Sequence, residues 1–342
     1  MVTLEQIKLA QRRLKGVAAR TPLIRYYPSP GNTAAEIEAN KAVNSPSVEP
    51  QGELWLKPES LQPVGSFKLR GAYNKIASLS EEERRRGVIS YSSGNHAQGV
   101  AYAARVLAAK AIIVMPRNAP RTKMHSTVSL GAEIVTVGPA SVERMKKAEE
   151  LAGKHGYTIV PPYNDEHIIA GQGTVGLEIL EDCPEVDLVL VPVGGGGLVS
   201  GVASAIKHSR SKAKVIGVEP QLANDAQQSF RTGTIVQLPA ERVSSTLADG
   251  LRTQSVGAIN FEHIQQFVDD IISVTEDEIR AAMRKLALRA RLVAEPSGAV
   301  TFAAWLFHAK QLPEAKKTVA VVSGGNLEPH LLVQVLTDDG TE

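Results

Sequence analysis

This chain of 342 residues is short of several things, and each shortage excludes something. It has one cysteine, Cys183, so no disulfide forms within it; the reading favoured is a soluble protein of the reducing cytoplasm. Phe, Trp and Tyr together make up 4%, too few for a base-stacking surface. Thirty-eight Lys and Arg against 36 Asp and Glu give a net charge of +2 with no basic stripe, which argues against a nucleic-acid partner. No apolar run approaches the roughly 18–20 residues that a membrane-spanning helix needs. The start, "MVTLEQIKLAQRRLKGVAAR", is amphipathic and lacks the unbroken apolar stretch of a signal peptide. Thr3 and Gln6 there have capping-box spacing. HExxH and CxxC are missing, and the eight histidines are scattered, so His/Cys metal chemistry is not expected. No Lys-Ser/Thr follows the glycine run, so there is no Walker loop, and no first-strand glycine fingerprint supports a nicotinamide dinucleotide.

What the chain does have is 43% hydrophobic residues, ample for two compact lobes. Apolar runs rich in β-branched residues recur: "ELWLKPE", "GVISYS", "AIIVMP", "EIVTV", "YTIV", "DLVLVPV", "KVIGVEP", "DIISV" and "TVAVVSG". Helical patterns lie between them, among them "NHAQGVAYAARVLAAK", "IAGQGTVGLEILEDC" and "EDEIRAAMRKLALRA". That interleaving predicts βαβ units and parallel sheet. Cys183 ends one of the helical patterns as a half-buried small apolar residue. Segment 29–52 breaks the pattern and reads as a surface loop or an ordered flap.

In doubly wound sheets, ligands sit beyond the carboxyl ends of the strands. Four strand ends here run into polar or glycine-rich turns: "SSGNHAQG", "GGGGLVSG", "EPQLAND" and "SGGNLEP". Together they predict one crevice. The run 194–197 is the most telling. A tight strand–helix turn needs one or two glycines; four bare backbone units at a helix start favour a phosphate site. At "EPQLAND", Glu219 and Asp225 offer oxygen ligands for a hard cation. His96, at a helix start, reads as a structural hydrogen-bonding residue, and Arg70 and Lys75 as helix-surface charges.

In order, "GSFKLRGA", "SSGNHAQG", "AGQGT", "GGGGLVSG", "LADG", "EPSGA" and "SGGN" resemble the fold-type II pyridoxal-phosphate enzymes, near the threonine/serine dehydratases and serine racemases. The resemblance covers nearly the whole chain. It implies the tryptophan synthase β-like α/β fold: two open, twisted, mostly parallel domains with the active site in the cleft between them. The expected division is 1–80 plus 166–342 for a large cofactor-binding domain and 86–165 for a small one, with 29–52 as an extra loop longer than the family's usual connection.

The same resemblance implies site roles. Lys68 matches the lysine that carries the cofactor, and Phe67 the residue packed against its ring. Asn95 matches the partner of the ring hydroxyl, and Ser323 that of the pyridine nitrogen. Gly194, Gly195, Gly196, Gly197 and Leu198 match the phosphate cradle, while Gly250 and Glu295 line the cofactor. Ser92, Ser93, Asn95 and His96 match the loop that grips the substrate carboxylate. Ser93 is the acid/base on the face opposite Lys68. Arg144 and Asn164 match substrate neighbours in the racemase-like branch. Glu219, the Ala223 carbonyl and Asp225 match that branch's site for Mg²⁺, Mn²⁺ or Ca²⁺.

The implied activity is removal of water and ammonia from L-threonine- or L-serine-type β-hydroxy amino acids, giving 2-oxo acids. Alternatives are a serine racemase or hydroxyaspartate-type dehydratase of the same branch, and a non-catalytic phosphate-ligand-binding protein. A homodimer is expected from the family.

Overall fold

A computed structural model describes residues 1–27, 52–92, 94–117, 119, 121–138 and 141–337. Most of segment 29–52, and Ser93, lie outside the described residues. The strands are β1 (Ile24–Tyr26), β2 (Glu53–Pro58), β3 (Val88–Ser90), β4 (Ala111–Pro116), β5 (Glu133–Val137), β6 (Thr158–Ile159), β7 (Leu188–Pro192), β8 (Lys214–Pro220), β9 (Asp270–Val274) and β10 (Lys317–Val322). They form a six-stranded sheet in the order β1-β2-β10-β7-β8-β9 and a four-stranded sheet in the order β5-β4-β3-β6. Every pairing is parallel except β1 with β2.

The strand "LVLVP" is buried at every position, as a central parallel strand covered by helices on both faces must be. Alternate residues feed two cores. Leu188, Leu190, Ile216, Val218, Ala320 and Val322 face one, with Phe302 and Trp305 of the Pro296–Phe307 helix. Val189, Val191, Val215, Val319 and Val321 face the other, with Val199 and Val202 of the Gly197–His208 helix and Ile264 of the Ala258–Phe267 helix.

The four-stranded sheet is sandwiched in the same way. Val88, Ile113 and Met115 pack on Leu69, Ala72 and Ile76 of the Lys68–Ala77 helix and on Val100 and Ala104 of the Asn95–Val106 helix. The Lys68–Ala77 helix therefore shares a core with the smaller sheet. The Thr3–Gln6 capping box is present, and Cys183 caps the Glu166–Asp182 helix with 5% exposure.

β1 was not legible. Its three residues are too few to show a period, and it is defined by pairing Ile24, Arg25 and Tyr26 with Leu56, Trp55 and Leu54. The two helix charges also need correction. Arg70 is 1% exposed and bonds Glu59 (2.7 and 2.8 Å) and Glu178 (2.7 and 2.9 Å). Lys57 Nζ joins them by donating to Glu178 at 2.6 Å and to the Thr21 carbonyl at 2.6 Å. Lys75 is half-buried in an ion pair with Asp165.

Candidate active site

Because the strands of each sheet run parallel apart from β1, they end on one edge, and turns beyond those ends border a cavity of about 440 Å³. After β2 the chain makes a 3₁₀ turn and enters the Lys68–Ala77 helix, with Phe67 as N-cap. Phe67 N–H donates to the Ser323 carbonyl at 3.1 Å, and residues 66 and 324 pair as an antiparallel bridge. The Lys68 turn and the turn after β10 are thus joined by backbone.

Lys68 Nζ reaches the cavity, lies 5.2 Å from the centre of the Phe67 ring and donates to the Pro162 carbonyl at 2.7 Å. Burial lowers its pKa to about 8, with Glu295 pulling the other way. Burial raises the Glu295 carboxyl to about 8, helped by the Asp249 charge and opposed by Asn95, Lys123 and the Asn326 backbone. Glu295 Oε1 accepts from Asn95 Nδ2 at 2.6 Å. His96 is 2% exposed with Nε2 3.0 Å from the Val160 carbonyl. A carbonyl only accepts, so Nε2 carries the hydrogen. Burial, then the Lys68 charge, lowers the His96 pKa to about 3, so the ring is neutral at physiological pH.

The glycine run closes one wall. Gly196 has φ +93° and caps the Gly197–His208 helix with no side-chain hydrogen bond, which leaves the first amides of that helix for another acceptor. A Cβ on Gly195 would lie 2.3 Å from the Tyr163 ring, so only bare backbone fits there. This floor of unclaimed amides has the shape and polarity a phosphate group requires.

The cavity also brings in Ser92, Arg144, Leu198, Gly250 and Ser323. Ser323 donates a long 3.4 Å bond to the Ser297 carbonyl. Asn164 is not part of the lining; its Oδ1 accepts the Ile259 amide at 3.0 Å, at the start of the Ala258–Phe267 helix. Its neighbour Tyr163 faces the cavity instead, with its phenol pushed up to about 12 by burial and by Tyr91 and Asp225. Sequence reasoning missed Tyr163, Tyr91, and the ion pair of Lys123 with Asp249, both of which line the cavity. The available signal was an aromatic after a strand end, "PPY", in a chain with few aromatics.

The turn after β8 stands apart from this lining, so three of the four expected strand ends build the crevice. In that turn Glu219 and Asp225 are fully buried. Glu219 accepts the Ala226 and Gln227 amides at 3.1 and 2.8 Å, while the Asp225 carboxylate has no well-formed hydrogen bond and only weak approaches from its own amide and that of Val256. Burial raises both carboxyls, Asp225 to about 7, and the Asp225 charge pushes Glu219 further up. Among the described residues no three His, Cys, Asp or Glu side chains gather round a metal position.

Residues 36–324 match the model of the family described as pyridoxal-phosphate dependent enzymes. The L-threonine ammonia-lyase of Thermotoga maritima is 46% identical over 338 residues, spanning 98% of this chain and 78% of that protein. The catabolic L-threonine dehydratase of Escherichia coli K12 is 42% identical over 286 residues, 83% of this chain and 86% of that one. Maize serine racemase superposes with a TM-score of 0.86 at 34% identity, over 97% of this chain and 96% of that structure.

Proposed function

This chain belongs to the pyridoxal-phosphate dependent enzymes, and on that premise we propose that it is an ammonia-lyase taking L-threonine or L-serine to a 2-oxo acid and ammonia. The observation that carries this reading is Lys68, an amine brought near neutrality by burial, sharing one cavity with a floor of unclaimed glycine amides.

The residues fit the cofactor. Residues 194–197 and Leu198 would hold its phosphate, Phe67 and Gly250 would flank its ring, and Asn95, Glu295 and Ser323 would meet its polar edge. Bound there, pyridoxal phosphate withdraws electrons from the substrate's Cα and acidifies the proton on it. Lys68 Nζ, with its proton weakly held, takes that proton as general base. The substrate carboxylate lies against the loop 92–96, at the N-terminus of the Asn95–Val106 helix, where the dipole favours an anion. His96, neutral and bonded to Val160, orients that loop and adds no charge. Arg144, from the same 86–165 segment, lines the cavity and would supply positive charge there. Tyr163 lines the cavity and would wall off the β-substituent, with Asn164 beside it as the substrate neighbour. The β-hydroxyl leaves as water, and the released 2-amino-2-enoic acid takes up one water as it hydrolyses to the 2-oxo acid and ammonia, so the net change is amino acid to 2-oxo acid plus ammonia. Borohydride reduction followed by peptide mass mapping tests the assignment: a pyridoxyl group fixed on Lys68 is expected, and one on any other lysine would overturn it.

We assign Glu219, the Ala223 carbonyl and Asp225 to a divalent cation. Two buried carboxylates, one with only weak backbone hydrogen bonds, need a proton or a cation to offset their charge. The lobes are proposed at 1–80 plus 166–342 and 86–165. In support, β1, β2 and β7 to β10 make one sheet and β3 to β6 the other. A homodimer in the cytoplasm completes the reading; exposed Leu61, Leu288 and Val293 are apolar side chains for a partner to cover, and light scattering tests it. No helix of the described residues is long and apolar enough to cross a membrane.

The second reading is racemisation, with Ser93 returning the proton on the opposite face. The acidic pair at Glu219 and Asp225 favours it through the racemase-like branch. Chiral analysis of the products decides: D-serine formed from L-serine faster than pyruvate would replace the lyase reading.

A further inference from the structure

Asn95 has two chemically opposite ends, and what it offers the cavity depends on which way its amide points. The structure holds a chain of directions that settles this. Asn326, in the turn after β10, donates from Nδ2 to the Val64 carbonyl at 2.8 Å and to Asn95 Oδ1 at 2.9 Å. A backbone carbonyl cannot donate, so Val64 fixes the Asn326 amide with its NH₂ inward. The second hydrogen of that NH₂ demands an acceptor, and Asn95 meets it with Oδ1. Asn95 Nδ2 is thereby turned to Glu295 Oε1 at 2.6 Å, with its other hydrogen left over. Reversing Asn95 would set its NH₂ against the Asn326 NH₂, a clash of two donors that no change of protonation relieves.

The origin of the chain is rigid. Val64 precedes the Lys68 turn, and Gly325 N–H donates to the Gly65 carbonyl at 2.9 Å. Gly65, at φ +69°, admits Asn326 because a Cβ there would lie 2.3 Å from Asn326 Oδ1.

We propose that Asn326 is a positioning residue: it sets the Asn95 amide so that a donor, not an acceptor, faces the cofactor's ring oxygen, in register with Lys68. This rests on the reading of Asn95 as the partner of that oxygen.

A double-mutant cycle tests it. Apoprotein is titrated with pyridoxal phosphate for affinity, and the absorbance maximum of the bound cofactor is recorded. Asn95→Ala and Asn326→Leu should each weaken cofactor binding by about tenfold and shift the maximum, the effect of losing one oriented hydrogen bond. The double variant should be no worse than Asn95→Ala alone. Additive losses, or no effect of Asn326→Leu where Asn95→Ala has one, would overturn the proposal. If Asn95→Ala itself leaves affinity and absorbance unchanged, the Asn95 reading falls and takes this proposal with it. Should Asn326→Leu not fold, Asn326→Asp keeps the shape and replaces the donor with an acceptor; the same cycle and criteria apply.

Discussion

Replacing Arg70 with methionine distinguishes a surface charge from a buried keystone. Arg70 makes six hydrogen bonds at 2.7–3.2 Å: two each to Glu59 and Glu178, one to Thr174 and one to the Ala19 carbonyl. Removing it leaves Glu178 with Lys57 but strips Glu59, fully buried, of its directly bonded cation. Removing one partner from a buried charge pair costs about 3–5 kcal/mol, whereas an exposed arginine would cost within about 0.5 kcal/mol. We therefore expect Arg70→Met to lose about 4 kcal/mol.

Urea unfolding read by tryptophan fluorescence suits the measurement, since Trp55 lies in β2 and Trp305 packs on the same sheet. The pH dependence adds a second check. Burial would raise the Glu59 carboxyl, but Arg70, Lys57 and Thr21 together hold it below its ordinary value. Its contribution is therefore present above the ordinary carboxylate range and lost as pH falls through the lowered pKa. In the variant, burial wins and the proton is welcomed earlier. The stability gap should narrow as pH falls from 7 to 4, and Glu59→Gln should recover more than half of the loss. A loss under about 1 kcal/mol, or a gap indifferent to pH, would refute the reasoning.

Gly195→Ala should weaken pyridoxal-phosphate binding by about tenfold or more, because its Cβ enters the Tyr163 ring; Tyr163→Ala in the same chain should restore part of it in an apoprotein titration. With cations chelated, stability should fall as pH rises from about 4 to 7, since Asp225 binds its proton more tightly folded than unfolded; the loss is bounded at about 4 kcal/mol. Divalent cation should raise the melting temperature at pH 8 more than at pH 5, and Asp225→Asn should abolish the response. The rate of cofactor uptake by apoprotein should climb between pH 6 and 8 and level off above, following the neutral amine of Lys68 with its pKa near 8. A flat profile in stopped-flow absorbance would exclude that amine as the nucleophile.

The strand-end turns were legible because their signal is local: glycine or small polar residues directly after a β-branched run. What depended on distant partners was not. Arg70 looks like a surface charge until Glu178, 108 residues away, is brought against it. Asn164 and Tyr163 sit side by side in an irregular segment with no period to say which turns inward; Tyr163 lines the cavity, while Asn164 Oδ1 accepts the Ile259 amide. Asn326 was visible in "SGGN" but had no role until Val64 and Asn95, 262 and 231 residues away, gave its amide a direction.

The ion pair of Lys123 with Asp249 joins the two sheets' territories. Lys123 rides on the helix between β4 and β5, and Asp249 on a turn between β8 and β9. Their side chains are 17% and 35% exposed, open enough for mobile ions to compete. At 0.15 M ionic strength, charges are screened over about 8 Å, and at 1 M over about 3 Å. Raising the salt concentration is expected to weaken this contact between the two sheets' territories. Because both residues line the cavity that holds Lys68, turnover is expected to depend on ionic strength, which kinetics at 0.15 and 1 M salt would read.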